Sequence, residues 1–310
     1  MLSTAHRYFL EVAATGSIKH AATRLHVASS ALSRQITRLE ETMGTRLFER
    51  RREGMVLTQA GELLADHARR VAMDSDGVLR HIRNLQHAAH STIRIGTNEG
   101  VAHNLLPDIL AQYRRQYPKV GFQVRVGSPG FVQRCLREGS IDIGLMFSLK
   151  PGSDSNVRHE IPSPICAIMS KVHPLAGHNR LKLDDLKNYP LALTDSGTTV
   201  RLLFDVLSSG GDGSHFDLAY SSNSSSLIRA LAEGGHAVTL AGEITLCHVL
   251  AKGSLVAVPL VGEALPQRSL QVLTSESGSL THDAESFLTL LIEVLQAHDR
   301  TARSTNARHP

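Results

Sequence analysis

Residues 16–61 of this 310-residue chain have the pattern of two short helices, an arginine-rich hairpin and the start of a further helix. In the second of these helices, Ser29–Met43, the apolar residues Leu32, Ile36 and Leu39 recur at i, i+4 and i+7 and therefore face inward. This order of elements predicts a winged helix-turn-helix, in which one helix enters a DNA groove and a basic hairpin lies beside it.

The outward face of the Ser29–Met43 helix has short hydroxyl groups and long hydrogen-bond donors, which suit contacts with base edges and phosphates. The candidate groove-facing residues are Ser29, Ser30, Ser33, Arg34, Gln35 and Arg38. Taken alone, this face fits a solvated amphipathic helix equally well. The next segment favours DNA binding, because three adjacent arginines at a hairpin tip suit a phosphate backbone or a narrow minor groove. These wing candidates are Arg50, Arg51 and Arg52.

The basic charge of the chain is concentrated in the same region. Residues 1–90 hold 13 Lys and Arg against 9 Asp and Glu, whereas the remaining residues are balanced with 20 of each. A surface that contacts phosphates requires such a surplus, although solvated helix faces often have as much. We therefore expect double-stranded DNA as a partner because of the pattern and the placement of charge together.

A long helix is predicted from its N-cap Thr58 onward, with a seam in which successive members are four and three residues apart. The seam residues are Leu64, Ala68, Val71, Ser75, Val78, Ile82, Leu85 and Ala89. A heptad repeat sustained this long favours pairing with a second copy of the same helix. The alternative is packing against the C-terminal part of the same chain. A homodimer would present two reading helices to two half-sites.

Residues 1–90 resemble the winged helix-turn-helix and linker helix of LysR-type transcriptional regulators. The positions that match the family are Ser33, Leu39, Glu40, Gly44, Leu47, Phe48, Arg50, Thr58, Ala60 and Gly61. The chain departs from the family at the start of the reading helix, where Ala28, Ser29 and Ser30 replace a common Ser or Thr, Gln, then Pro or Ser. We expect the helix cap to be weakened or shifted to Ser29, and an operator sequence does not carry over from relatives. The resemblance implies a cytoplasmic, bacterial-type transcription factor that is dimeric through the linker helix and tetrameric through its sensor lobes.

After the linker helix, the pattern alternates between strands and helices, which predicts a parallel sheet with right-handed crossovers. Strands are predicted at 92–96, Gly121–Val126 and 141–147 in a first set. A second set runs from Ile165–Ser170 and is closed by strands at Leu255–Pro259 and 269–273. A terminal helix is expected to return to the first set through Ala284, Phe287, Leu288, Leu291 and Leu295.

The predicted fold is an N-terminal all-α winged helix-turn-helix plus a long linker helix, followed by a C-terminal α/β effector domain. The two C-terminal lobes resemble the periplasmic-binding-protein-like effector domain of the same family. The expected bounds are 1–58 for the DNA-binding domain, 59–90 for the linker helix and 91–310 for the effector domain. Within the last, lobe I covers about 91–162 and 267–300, and lobe II about 163–266.

Lobes of this kind hold a small-molecule effector between them, where strands end and helix N-termini point. The candidate lining residues are Thr97, Asn98, Glu99, Ser128, Ser196, Thr198, Thr199 and Asn223. Hydroxyl residues and free backbone N–H groups at helix starts bind anions well, but each of them singly also fits an ordinary N-cap. Glu99 adds a carboxylate, which favours a ligand with an amine or a zwitterion unless this side chain points to solvent.

Other functions are less well supported by the sequence. The 17 histidines are scattered without a metal-ligand spacing, so no metal and no cofactor are expected. An enzyme on the two-lobed scaffold lacks a nucleophile elbow, a phosphate loop or a dinucleotide-binding glycine run. A solute-binding transport protein would not explain the N-terminal pattern, and the first residues do not have the pattern of a signal peptide. Three separated cysteines suit a reducing cytoplasm, and no apolar run is long enough for a membrane span.

Overall fold

The computed structural model describes residues 3–51, 54–86, 91–150, 156–209, 216–262, 265–275 and 280–306. The chain separates into two compact units. The N-terminal unit is essentially Met1–Ala88, and the C-terminal unit comprises Ala89–Glu276 with Leu280–Pro310. Across these described ranges, no helix has both the length and the apolar content needed to cross a membrane.

The N-terminal unit contains helices and one short hairpin. Its elements are α1 (Thr4–Thr15), α2 (Ile18–Leu25), α3 (Ser29–Met43), β1 (Phe48–Arg51), β2 (Gly54–Leu57) and α4 (Gln59–Gln86). Ser17 begins α2 because its hydroxyl accepts a hydrogen bond from the backbone N–H of His20. Gly16 and Gly44 end α1 and α3 in the left-handed conformation, which glycine adopts without steric cost. The winged helix-turn-helix and long helix predicted from the sequence are confirmed.

The core of this unit forms where the three short helices meet the first wing strand. Its buried residues are Phe9, Val12, Ala21, Ala22, Leu32, Ile36, Leu39, Leu47, Phe48 and Ala65. The Glu40 carboxylate accepts hydrogen bonds from the backbone N–H groups of Leu47, at 2.8 Å, and Phe48, at 3.2 Å. This side chain therefore ties α3 to the wing and sets the position of one relative to the other.

One local feature decides between alternatives that the sequence left open, and a second differs from the expectation. The N-cap of α3 remains at Ala28 and has no side-chain hydrogen bond, so the cap is weakened and not shifted to Ser29. Arg50 and Arg51 lie within β1 and not at the hairpin tip, because the wing ladder continues until Arg51 pairs with Gly54. Arg52 lies outside the described residues.

The first turns of α4 pack against their own unit. A Cβ atom on Gly61 would lie 2.1 Å from the carbonyl oxygen of Leu47, so only glycine permits this approach. Ala65 and Ala68 are fully buried, and Leu64 packs against the core. The first two residues of the predicted seam, Leu64 and Ala68, are therefore already packed within the N-terminal unit of a single chain.

Further along α4 the seam is more accessible. Val71 and Ser75 are half-buried, and Val78 is 56% exposed. The Ile82 and Leu85 side chains and the whole of Ala89 lie outside what the structure describes.

The C-terminal unit is a mixed α/β structure of two lobes. Its helices and strands, in chain order, are β3 (Thr92–Thr97), α5 (Glu99–Asn104), α6 (Leu106–Gln116), β4 (Gly121–Val126), α7 (Pro129–Arg137), β5 (Ile143–Ser148), β6 (Val157–Pro162), β7 (Ile165–Ser170), β8 (Ala192–Thr194), α8 (Thr199–Ser209), β9 (Tyr220–Ser222), α9 (Ser225–Glu233), β10 (Thr239–Gly242), α10 (Cys247–Ala251), β11 (Leu255–Pro259), β12 (Ser269–Thr274) and α11 (His282–Asn306).

Lobe I is built on a five-stranded sheet of order β4-β3-β5-β12-β6. The predicted parallel arrangement holds for β3 with β4 and β5. The strand predicted at 269–273 falls within the bounds expected for lobe I, although the alternation of elements groups it with the second set. It lies in this sheet, where β12 runs antiparallel between β5 and β6. Its second partner β6 was not predicted from the sequence. The apolar residues of α11 pack into the core of this lobe, as expected, and Tyr113 Oη donates to the Asp283 carbonyl.

Lobe II has a three-stranded antiparallel sheet of order β10-β7-β11 and a parallel pair of β8 and β9. A bridge between Leu191 and Val238 connects the two. Strands β3, β4 and β8 end where helices α5, α7 and α8 begin. These strand ends and helix starts surround the cavity described below.

Candidate DNA-binding face and effector cavity

The polar face of α3 is exposed on the side opposite the core of the N-terminal unit. Ser29, Ser30, Arg34 and Arg38 are exposed, whereas Ser33 and Gln35 are half-buried. A shallow depression follows this face and is lined by Ser30, Ser33, Arg34, Thr37, Arg38 and Glu41. Thr37 and Glu41 were not predicted, although they follow Ser33, Ser30 and Arg34 at helical spacing.

The wing places its arginines differently from one another. Arg50 is exposed and has no ion pair within the part of the chain that the structure describes. Arg51 donates to the Glu49 carboxylate through Nε, at 3.2 Å, and Nη2, at 2.8 Å. Both partners are more than half exposed, so this pair contributes little to stability and can be exchanged for another anion.

A cavity of about 520 Å³ lies between the two lobes of the C-terminal unit. Seven of the eight residues predicted from sequence line it: Asn98, Glu99, Ser128, Ser196, Thr198, Thr199 and Asn223. Thr97 does not line the cavity but is fully buried at the end of β3. The structure thus brings together four loops that are widely separated along the chain.

Several of the lining residues also cap helices. Asn98 Oδ1 accepts from the Val101 backbone N–H at 3.0 Å, and Ser128 Oγ accepts from Phe131 at 3.3 Å. Thr198 Oγ1 accepts from the Arg201 backbone N–H at 3.1 Å. The capping role considered from sequence is therefore present at these three residues. It does not remove them from the cavity wall, since each begins a helix that points toward it.

Arg268, which sequence reasoning missed, lines the cavity from the segment that leads into β12. Its side chain is nearly inaccessible, with the residue 5% exposed. The guanidinium donates to Thr199 Oγ1 at 3.0 Å and, through Nη1, to the carbonyl and hydroxyl oxygens of Ser163 at 3.1 and 2.9 Å. It also stacks over Phe147, with Cζ 3.6 Å from the ring centroid. The neighbours are neutral oxygens and an aromatic face, with no carboxylate partner among the described residues.

The electrostatics of Arg268 follow from this burial. Removal from water lowers the pKa of the guanidinium to about 9, so the group stays charged at neutral pH. A buried charge without a counter-charge is costly, and a paired anion offsets that cost. No motif marks this arginine in the sequence, because it lies between a loop and a strand and is recognised only by its tertiary neighbours.

The Glu99 carboxylate does not point to solvent, and at the cavity wall it is hydrogen-bonded within the protein. Its Oε2 accepts from the backbone N–H of Ser225 at 2.8 Å, and its Oε1 accepts from Ser226 Oγ at 3.0 Å and Ser226 N–H at 3.4 Å. Burial raises the pKa of this carboxyl, but the hydrogen bonds from Ser225 and Ser226 outweigh it and leave the pKa below its usual value. Both oxygens accept hydrogen bonds from within the protein, which the amine preference expected from sequence did not take into account.

The chain matches two family models. Residues 4–62 match the bacterial regulatory helix-turn-helix of the LysR family, and residues 86–296 match the LysR substrate binding domain. The chain belongs to the LysR family of transcriptional regulators.

Relatives of this LysR-type regulator agree with that assignment. The HTH-type transcriptional activator CmpR of Synechocystis sp. is 27% identical over 302 residues, which is 96% of each chain. The transcriptional dual regulator GltC of Bacillus subtilis is 30% identical over 294 residues, or 93% of this chain and 95% of that protein. The crystal structure of CbnR, a LysR family transcriptional regulator, shares the fold with a TM-score of 0.56 at 18% identity, covering 94% of this chain and 98% of that one.

The LysR-type regulator therefore combines a DNA-binding helix-turn-helix with an effector-binding domain. Its relatives are named as transcriptional regulators and not as enzymes. In the described ranges no group of three His, Cys, Asp or Glu residues is placed to hold a metal ion.

Proposed function

We propose that this regulator binds double-stranded DNA as a homodimer whose α4 helices pair and whose two α3 helices enter successive major grooves. The observation that supports this proposal is that α3 is buried on one side and exposed on the other. Its apolar residues Leu32, Ile36 and Leu39 anchor it in the core, while its arginines and most of its hydroxyl groups remain exposed. In this arrangement Ser29, Ser30, Ser33, Arg34, Gln35 and Arg38 face the groove, and Arg50, Arg51 and Arg52 contact the backbone or the minor groove.

Pairing through α4 is supported by the accessible part of the seam, of which Val78 is the most exposed described member. The variant Val78→Asp should weaken the dimer and with it the affinity for DNA, because two half-sites are then no longer held together. Leu63→Asp is the matched control, since Leu63 is 70% exposed on α4 but lies off the seam. Sedimentation velocity and fluorescence anisotropy with labelled upstream DNA give both readouts. A dimer unaffected by Val78→Asp would contradict pairing along this seam.

Two such dimers are further proposed to assemble into a tetramer through their C-terminal units. These units expose large apolar side chains at Val124, Val126, Leu202, Val206 and Leu227. Large apolar side chains that are exposed in a single chain become buried where copies associate. Sedimentation equilibrium over a range of concentrations distinguishes a tetramer from a dimer that does not associate further.

The effector proposed for the cavity is a small molecule with an anionic group. Arg268 supports this choice, because it is a buried cation on the cavity wall that lacks a counter-charge among the described residues. The side chains of Ser128, Ser196, Thr198, Thr199 and Asn223 add hydrogen-bonding groups on both lobes. An effector bound there shifts the population between lobe arrangements, which changes the spacing of the DNA-binding heads and the bend in the DNA.

Matched pairs of carboxylic acids and their neutral amides test the class of effector. We expect acids to raise the melting temperature of the protein and their amides to have no effect. Arg268→Gln should weaken acid binding by about tenfold to a hundredfold, as for the loss of a charge-assisted hydrogen bond. Arg268→Lys keeps the charge and should retain part of the affinity, which separates loss of charge from loss of fold. Equal binding of amides and acids would exclude an anionic effector.

A further inference from the structure

The carboxylate of Glu99 spans the gap between the two lobes of the C-terminal unit. Glu99 is the first residue of α5 in lobe I, whereas its hydrogen-bond donors Ser225 and Ser226 are the first two residues of α9 in lobe II. The backbone N–H groups at these two positions have no partner within their own helix. The N-terminal end of α9 also has a partial positive charge, so a carboxylate is the favoured occupant.

Two further contacts hold α5 against lobe II. A Cβ atom on Gly100 would lie 2.9 Å from the Cβ of Thr245, so the absence of a side chain permits the close approach. Cys247 Sγ donates to the Asn104 carbonyl at 3.3 Å. Of these three contacts, only the one made by Glu99 brings a full charge, and both Glu99 and its donors Ser225 and Ser226 line the cavity.

We propose that Glu99 is a built-in ligand, whose carboxylate occupies the anion-binding end of α9 and keeps the lobes together in the absence of an effector. A free anion can reach the Ser225 and Ser226 amides only after Glu99 leaves. An effector with one anionic group is therefore directed to Arg268, and an effector that displaces Glu99 releases α5 from α9. This proposal takes from the proposed function only the assignment of the cavity as the effector site.

Hydrogen exchange of the full-length protein tests the contact directly. Glu99→Gln removes the charge and places an amide near two donors, so we expect the Ser225 and Ser226 amides to exchange at least tenfold faster. The Leu227 amide is the internal control, because it is capped by Ser224 Oγ and not by Glu99. Glu293→Gln is the matched charge control, since Glu293 is an exposed residue of α11. Unchanged exchange at Ser225 and Ser226 in the Glu99 variant would overturn the proposal.

Inorganic sulfate tests whether Glu99 excludes other anions. In Glu99→Gln, sulfate should restore protection at the Ser225 and Ser226 amides at a concentration at least tenfold lower than any effect in the wild type. The same titration in an Arg268→Gln background separates this response from sulfate bound at Arg268. Glu99→Asp, which is one methylene shorter, should exchange at an intermediate rate and serves if the Gln variant does not fold. If the wild type and Glu99→Gln respond equally to sulfate, the role of Glu99 as a built-in ligand is overturned.

These results are separable from the effector assignment. Failure of acids to bind, or their indifference to Arg268→Gln, would contradict the proposed function while leaving the exchange data on Ser225 and Ser226 unaffected.

Discussion

The two units of this regulator build their functional surfaces in opposite ways. In the N-terminal unit, the candidate groove contacts come from one helix turn after another, between Ser29 and Arg38. In the C-terminal unit, Glu99 bonds residues 126 and 127 positions away, and Arg268 bonds Thr199 across 69 positions. A surface made by one amphipathic helix can be recognised from its periodicity, whereas a cavity made by converging loops depends on how the whole unit folds.

The largest expected effects test whether the two units are energetically separate. Phe9→Ala in the first core and Phe287→Ala in the second should each lower stability by about 3–5 kcal/mol, because both side chains are fully buried. We expect differential scanning calorimetry to show two transitions, with each substitution lowering only the transition of its own unit. If either substitution lowers both transitions equally, the units unfold together and the comparison fails.

The next effects concern how the N-terminal unit divides its DNA contacts. Arg34→Ala should cost about 1–3 kcal/mol on preferred DNA and relax sequence preference, while Arg51→Ala should weaken binding to all DNA alike and reduce the salt slope by about 1. Because Arg51 is already paired with Glu49, Arg50→Ala should weaken non-specific binding more than Arg51→Ala does. Anisotropy titrations on selected and random duplexes at several salt concentrations measure this. Identical losses on both duplexes for Arg34 and Arg51 would remove the distinction between reading and positioning residues.

A smaller effect is expected at the uncapped start of α3. Ala28→Ser supplies a hydroxyl at the N-cap and should stabilise the N-terminal unit by about 0.5–2 kcal/mol. The calorimetric transition of that unit should rise, with the C-terminal transition unchanged. Ala28→Val, which adds bulk but no hydroxyl and is a poor N-cap residue, is the control, and an equal gain in that variant would show that the cap is not the cause.

The smallest effect is the pH dependence of the Glu99 contact. The pKa of this carboxyl is lower in the folded than in the unfolded protein, so its stabilising contribution is present above the usual value of 4.5 and is lost as the pH falls through the folded value. The melting temperature of the wild type should exceed that of Glu99→Gln at pH 7, and the difference should shrink below pH 4.5. His103 and Arg229, which line the same cavity, are present in both proteins. A difference that grows on acidification would contradict the sign.

Prediction from sequence succeeded where neighbours along the chain determine structure. The apolar spacing of Leu32, Ile36 and Leu39 predicted which side of α3 is buried, and the loops of the cavity followed from the alternation of strands and helices. The Arg268 site was not predicted, because its contacts are with Ser163 and Phe147, which are distant along the chain. Glu99 was placed at the cavity, but its hydrogen bond to the end of a helix in the other lobe was not predicted. The β6 strand, which pairs with β12 in lobe I, was not predicted.

The junction between the wing and α4 leaves little freedom to either element. Thr58 Oγ1 donates to the Arg46 carbonyl at 2.8 Å and accepts from the Gly61 backbone N–H at 3.0 Å, while Gly61 itself rests against Leu47. The 28 residues of α4 extend for about 40 Å from this joint. The start of α4 is thus held rigidly to the DNA-binding unit. In the proposed homodimer, a small tilt of α4 therefore moves that unit with it and changes the spacing between the two DNA-binding units.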